Sequence, residues 1–263
     1  MPDPRTVIVA GGTYGIGRGI VLDLARRGWR VFAFGLSARQ PGSAAADGVV
    51  GTQAALQEAG LEAAETNVLE GDIANAADVA RVVEAALSET GRIDALVNVA
   101  AIRPTGTILD TDEDSFDRVL AVNLKGPYLT ARAVVPHMVA AGGGAIVNLG
   151  SGSGWGKANM AAYGASKGGV VALGACMAYD HLADGIRVNT VVPGPQTASG
   201  MVEEMAAQGP LPEVVTASGR QTQPQDIANA VAFLLSDEAA QISGTIVDVG
   251  AFAHQGGVGQ PRK

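Results

Sequence analysis

Apolar residues along this chain fall into two alternating patterns. Short, nearly unbroken apolar runs at 7–10, 31–34 and, more weakly, 66–69 predict strands, as do "DALVNVAA", "AIVNLG", "RVNTVV" and Ile246–Val249. Between them lie longer stretches in which apolar residues recur every three or four positions: "RGIVLDLARRG" ending at Gly28, "VVGTQAALQEAG", and the ranges 78–90, 114–141, the segment opened by Tyr163, and 225–235. These predict helices, several with a glycine stop. Strands that are apolar on both faces and alternate with helices imply a parallel sheet covered on both sides. Right-handed crossovers then produce an α/β, doubly wound parallel sheet of about seven strands. At 263 residues and 47% apolar, the chain can bury the core of one such domain, 1–263, without a second.

In a doubly wound sheet, ligands bind beyond the carboxyl ends of the strands. The glycines and polar residues gather there: Gly11 to Gly17 after the first strand, Asp72 after the third, 98–101 after the fourth, Ser151 after the fifth, Pro193 and Gly194 after the sixth. "GGTYGIG" stands between a strand and a helix, so its backbone can approach a pyrophosphate while the helix amides face the anion. Its glycines at 11, 15 and 17 follow G-x-x-x-G-x-G, with Ile20 where the commoner pattern has its last glycine.

Charge and composition exclude several partners. A net charge of -8 argues against nucleic acid or an anionic membrane, since both need clustered cations. His137, His181 and His254 have no metal-ligand spacing, and no metal is expected. The lone Cys176 sits in a small-residue helical stretch and reads as packing. No secretory leader and no apolar stretch of membrane-spanning length is visible, so a soluble cytoplasmic protein is expected.

The sharpest chemical signal is "YGASK". Tyr163 and Lys167 stand four apart, one turn of a helix, on one face. A nearby cation favours a phenolate, so Lys167 is expected to lower the Tyr163 pKa and fit the phenol for proton exchange with a carbonyl or alcohol oxygen.

With these residues assembled, the chain resembles the short-chain dehydrogenase/reductase family over nearly its whole length. "AGGTYGIG" is similar to that family's cofactor turn, "GDI" to its adenine contact, and "NVAA" to its Asn-Asn-Ala-Gly segment. "AVNLKG", "NLGSGSG", "YGASK" and "VVPGPQT" resemble its asparagine, serine, Tyr-Lys and Pro-Gly-Thr motifs. Two departures stand out: Ala10 replaces the usual Thr, and "NVAA" lacks the second Asn and the final Gly. The resemblance implies a Rossmann-type domain with Asn123, Ser151, Tyr163 and Lys167 as catalytic residues. Tyr163 would exchange the proton, Lys167 would also hold the nicotinamide ribose, Ser151 would hydrogen-bond the substrate oxygen in preference to Ser153, and Asn123 would anchor a relay water. It places the cofactor against Gly11, Thr13, Tyr14, Gly15, Ile16, Gly17, Gly35, Ser37, Asp72, Ile73, Asn98, Ala100, Pro193, Gly194 and Thr197, besides Tyr163 and Lys167.

No acid follows the second strand to repel a 2′-phosphate, and Ser37 and Arg39 could bind one. NADP is therefore favoured, with NAD as the alternative. The loosely patterned segment 194–223 reads as a lid. Ser153, Trp155, Met160, Pro195, Met201 and Ile102 could line an apolar pocket beside Tyr163 and Ser151, and Arg103 could meet an anionic group. These features predict an oxidoreductase acting on a small-molecule ketone or secondary alcohol. A lyase or epimerase with tightly held cofactor, or a non-catalytic dinucleotide sensor, are the alternatives on the same fold. "HMVAAGGGA" without a cation, with Asp180 and Asp184 beyond Tyr163, argues against an acidic carrier protein as bearer of the substrate. The family implies a homo-oligomer, tetramer or dimer, meeting through helices around 123–139 and 163–182.

Overall fold

A computed structural model describes residues 4–37, 47–61, 66–194, 196–207, 209–211, 216 and 218–250. Seven parallel strands form one sheet in the order β3-β2-β1-β4-β5-β6-β7: β1 Thr6–Ala10, β2 Arg30–Gly35, β3 Thr66–Glu70, β4 Ala95–Asn98, β5 Gly144–Leu149, β6 Ile186–Pro193 and β7 Ile246–Val249. The helices are α1 Gly15–Arg26, α2 Gly48–Glu58, α3 Ala76–Thr90, α4 Glu113–Leu120, α5 Gly126–Ala141, α6 Ala161–Asp180, α7 Gly200–Ala207 and α8 Pro224–Leu235. The doubly wound sheet expected from the alternating pattern is the observed one. Its reversal of strand order lies between β1 and β4, where the cleft opens.

Strand pleating explains the two-sided core. Val7 and Val9 face one layer, with Ile20, Val21 and Leu24 of α1 and Ile227, Val231 and Leu235 of α8. Ile8 and Ala10 face the other, with Val79, Val82 and Val83 of α3 and Val134 and Met138 of α5. Alternate residues of a single strand thus seal both layers, so every residue of β1 is buried. Buried Asp23 of α1 is compensated by Arg27 at 2.6 Å and by the Gln225 amide of α8, also at 2.6 Å.

The continuous helix expected over 114–141 is interrupted by a π-helical turn, Ala121–Lys125, between α4 and α5. Pro127 has no N–H to give to the Asn123 carbonyl four residues back, and the Gly126 N–H reaches Ala121 O instead. Cys176, expected in the packing, is exposed on α6. No helix among the described residues is long and apolar enough to cross a membrane.

The turn after β1 is built by close approach. A Cβ on Gly17 would lie 1.9 Å from the Gly11 carbonyl oxygen, and one on Gly11, whose φ is +89°, would lie 2.3 Å from the Ala100 nitrogen. Gly17→Ala is therefore expected to force the start of α1 off the sheet. The expected loss is about 2 kcal/mol of stability, read from the shift in urea midpoint.

Candidate functional site

The Tyr163 helix and the Ser151 turn are joined through Lys167. Its ammonium is buried and donates to the Leu149 carbonyl at the end of β5, at 2.7 Å. Two residues past Leu149, Ser151 caps the short 3-10 turn Gly152–Trp155, its hydroxyl accepting from the Ser153 N–H at 3.2 Å. The turn packs tightly on α6: a Cβ on Gly154 would lie 2.9 Å from Gly168 N, and one on Gly164 would lie 3.0 Å from Ser153 O. Tyr163 is buried one turn before Lys167, whose Nζ is 5.9 Å from the phenol ring centroid.

The electrostatics differ from the sequence expectation. Burial raises the Tyr163 pKa above that of a free phenol; a hydrogen bond with Ser151 and the positive charge of Arg103 pull it back in part. The Lys167 ammonium donates to the Leu149 carbonyl, and burial outweighs the charges that favour the phenolate. Burial also pushes Lys167 itself down to about 8. In this state the phenol holds its proton, as a donor must, and Ser151 rather than Ser153 touches it.

Asn123, in the π-helical turn, clamps the loop after β4. Its amide donates to Ile102 O at 2.9 Å and to Ser166 Oγ at 3.0 Å, and accepts from Ile102 N at 2.9 Å. Both donors are occupied, so the group to which a relay water expected at Asn123 would fall is the main-chain carbonyl, which Pro127 deprives of its usual helical donor. Asn98 is buried between strands and helix, donating to Asn148 Oδ1 at 2.9 Å and accepting from Thr130 at 2.7 Å. It supports the cleft floor from below. Thr197 is buried, with its hydroxyl on Gly194 O at 2.7 Å. Asp72 accepts from Ala74 N and from Arg118, both at 2.9 Å, while Ile73 is buried against Gly126.

The start of α1 suits a dinucleotide. Tyr14 at its N-cap makes no side-chain cap, the first turn has no acid, and Gly15 has a φ of +46° that begins the turn, so the Gly15, Ile16 and Gly17 amides face an anion unopposed. Ala100 N donates to Ala10 O at 3.0 Å and closes the floor beneath. Pro193 and Gly194 end β6, and a Cβ on Gly194 would lie 2.9 Å from Val249 O. Thr13 is buried, its hydroxyl 3.4 Å from Leu36 O. Tyr14 donates to Ser37 O at 2.8 Å.

Glu70 was not foreseen. The last residue of β3, it stands opposite Gly35, and its carboxylate accepts from Ser37 N at 2.9 Å. Nothing in the local sequence marks it, since it meets the end of β2 only through strand pairing. Arg39 and Pro195 lie outside the described residues. Of the remaining pocket candidates, Met160 is buried at the entry to α6, Ile102 packs against the core, and Trp155 is exposed. Met201 is half-buried on α7.

A family model described as enoyl-(acyl carrier protein) reductase matches residues 10–251. This chain belongs to the short-chain dehydrogenase/reductase family of oxidoreductases. It is 36% identical over 261 residues to 2-(S)-hydroxypropyl-CoM dehydrogenase 3 of Xanthobacter autotrophicus, covering 97% of this chain and 96% of the relative. A 3-oxoacyl-[acyl-carrier-protein] reductase of Staphylococcus aureus is 31% identical, covering 93% of this chain and 96% of the relative. The crystal structure of levodione reductase superposes with a TM-score of 0.83 at 31% identity, covering 94% of this chain and 96% of that one.

The buried Lys167 yields a signed pH dependence. Below pH 8 both folded and unfolded chains hold its proton; between about 8 and the unfolded value near 10.4 only the unfolded chain does, so stability attributable to this residue rises with pH. Relative to Lys167→Met, the wild type is expected to gain up to roughly 1.4 kcal/mol per pH unit over that window. Urea unfolding of both proteins at pH 7, 8.5 and 9.5 measures it; a constant difference between them would show an unshifted lysine.

Proposed function

We propose that this protein interconverts a small ketone and its secondary alcohol, with Tyr163 as the acid and base. The observation that carries this reading is the convergence of the Tyr163 phenol, the Ser151 hydroxyl and the Lys167 ammonium at the end of β5. A nicotinamide dinucleotide, when bound, supplies or accepts the hydride. The α1 amides and the glycine turn would hold its pyrophosphate, and Lys167 its ribose.

In reduction, the Ser151 hydroxyl donates to the carbonyl oxygen and polarises it. As negative charge grows on that oxygen, the Tyr163 O–H passes its proton across, leaving a phenolate and a neutral alcohol. Burial disfavours that phenolate. The nearby Lys167 and Arg103 charges stabilise it in the transition state, and a proton from solvent then restores the phenol. Oxidation runs the same steps backward. The relatives' names, a hydroxypropyl dehydrogenase and a 3-oxoacyl reductase, describe alcohol and ketone chemistry. A free small molecule suits this chain better than a carrier-bound acyl group, because "HMVAAGGGA", from the end of α5 into β5, holds no Lys or Arg to meet an acidic carrier. Exposed Tyr128 and Val139 on α5, with Tyr179 on α6 and Leu182 just past it, fit the homo-oligomer that the family resemblance implies.

Glu70 supports NAD over the NADP favoured by sequence. A carboxylate at the Ser37 amide stands where an acid at the end of β2 would stand, and it would repel a 2′-phosphate while accepting from ribose hydroxyls. Gly35 itself cannot take that role, since its Cβ would lie 2.4 Å from Thr13 Oγ1.

Tyr163→Phe is expected to lower kcat by on the order of 10² to 10⁴ while cofactor affinity changes little. Steady-state rates on a ketone panel and cofactor titration by fluorescence test both halves, and wild-type turnover in the variant would reject the assignment. Glu70→Gln is expected to raise the ratio of kcat/KM for NADPH over NADH by about tenfold, the effect of one screened charge. A wild type that prefers NADPH would sink the cofactor reading.

A further inference from the structure

Arg103 is a partly buried cation near the start of the Tyr163 helix that has no oxygen partner among the described residues. It lies in the loop after β4, which is laid along the start of α6: Gly106 N donates to Asn159 O at 3.0 Å and Ala161 N to Gly106 O at 3.2 Å. The guanidinium thereby reaches the entry of the Tyr163 helix. Its Nε is buried without a hydrogen-bond partner, and Nη1 meets only the Met160 sulfur, at 3.8 Å. Five other arginines of this acidic chain are paired with carboxylates: Arg18 with Asp47, Arg27 with Asp23, Arg81 with Asp78, Arg118 with Asp72, and Arg220 with Asp226; partly buried Arg187 donates to the Leu234 and Ser236 carbonyls.

Burying one guanidinium nitrogen without an acceptor is costly, and a donor fork that meets no oxygen among the described residues is a site for one. The Met160 contact sets the guanidinium at the N-cap of α6, three residues before Tyr163, and its charge favours the Tyr163 phenolate. Resting on the oxidoreductase reading, we propose that Arg103 is the substrate-anchoring residue. The substrate is a small ketone or secondary alcohol bearing a carboxylate or sulfonate a few bonds from the reacting carbon. Oxygens of either anion accept from the guanidinium, which fixes the carbonyl in register with Ser151 and Tyr163.

The test uses a matched series: 4-oxopentanoate, its methyl ester, and 3-oxobutane-1-sulfonate, with NADH and with NADPH. The wild type is expected to favour an anion over the ester in kcat/KM by at least about tenfold, and the carboxylate-to-sulfonate ratio identifies which anion fits. Arg103→Met is expected to lower the anion-to-ester ratio by on the order of 10². Effects of the lost charge on Tyr163 act on both substrates and cancel in that ratio. Because the removed charge has no oxygen partner among the described residues, the melting temperature of Arg103→Met is expected not to fall. Should it fall by several degrees, Arg103→Lys carries the test, keeping charge without the fork and lowering the ratio by a smaller factor. A wild type that favours the ester, or a ratio unmoved in the variants, overturns the inference and leaves the oxidoreductase reading standing. If no ketone turns over with either cofactor, that reading fails instead. Calorimetric binding of pentanoate, expected in the wild type and lost in Arg103→Met, then decides the anion site alone, and no binding to the wild type overturns it.

Discussion

The catalytic geometry hangs on one buried hydrogen bond, from the Lys167 ammonium to the Leu149 carbonyl. A parallel strand ends with carbonyls that no neighbouring strand receives, and a buried ammonium must find acceptors. Each group answers the other's need. The bond pins α6 to the end of β5, and the two residues proposed to act on the substrate follow from it: Tyr163 one turn earlier on α6, Ser151 two residues later on the chain leaving β5. The glycines at 154, 164 and 168 permit the close approach, since side chains there would push the Ser151 turn away from the helix. Position of the serine and the tyrosine is therefore a consequence of how the sheet terminates.

The same burial sets the electrostatics. Water is displaced around Tyr163 and Lys167 alike, which pushes one pKa up and the other down. Burial favours the neutral form of each, yet a lysine near 8 still carries its proton at neutral pH, so the resting site pairs a neutral phenol with the Lys167 ammonium. A proton donor that retains its proton until an oxyanion forms beside it gives its catalytic help in the transition state rather than in the bound ground state. The π-helical turn serves this arrangement at one remove. Pro127 breaks the helical bonding, Asn123 turns its amide to both backbone groups of Ile102, and the loop that carries Arg103 is thereby held against α6.

What could be read from sequence was what is local. The apolar runs placed all seven strands because a strand buried on both faces needs no partner to be recognised. "GGTYGIG" and "YGASK" were readable because their chemistry lies within a turn or two of chain. What escaped depends on pairing across distance. Glu70 meets Ser37 only because β3 aligns with β2 so that Glu70 faces Gly35. Asn98 resembled a cleft residue by motif, yet the pleat points its side chain down into a ladder with Asn148 and Thr130. The expectation that Lys167 acidifies Tyr163 used the spacing correctly but omitted burial, which outweighs the charges that favour the phenolate.

Glu70 and Gly35 also show why a functional position is a place in space before it is a position in a motif. A carboxylate that reads a ribose must stand at the end of β2, but its backbone need not. Here the floor of that place is filled by Thr13, which leaves no room for any side chain on Gly35. The neighbouring strand, one sheet spacing away, can deliver a carboxylate to the same point because a glutamate is long enough to reach across and accept from the Ser37 amide. On the proposed NAD reading the glycine and the glutamate act together: the first leaves the near side of the pocket to Thr13, and the second supplies the charge from the far side.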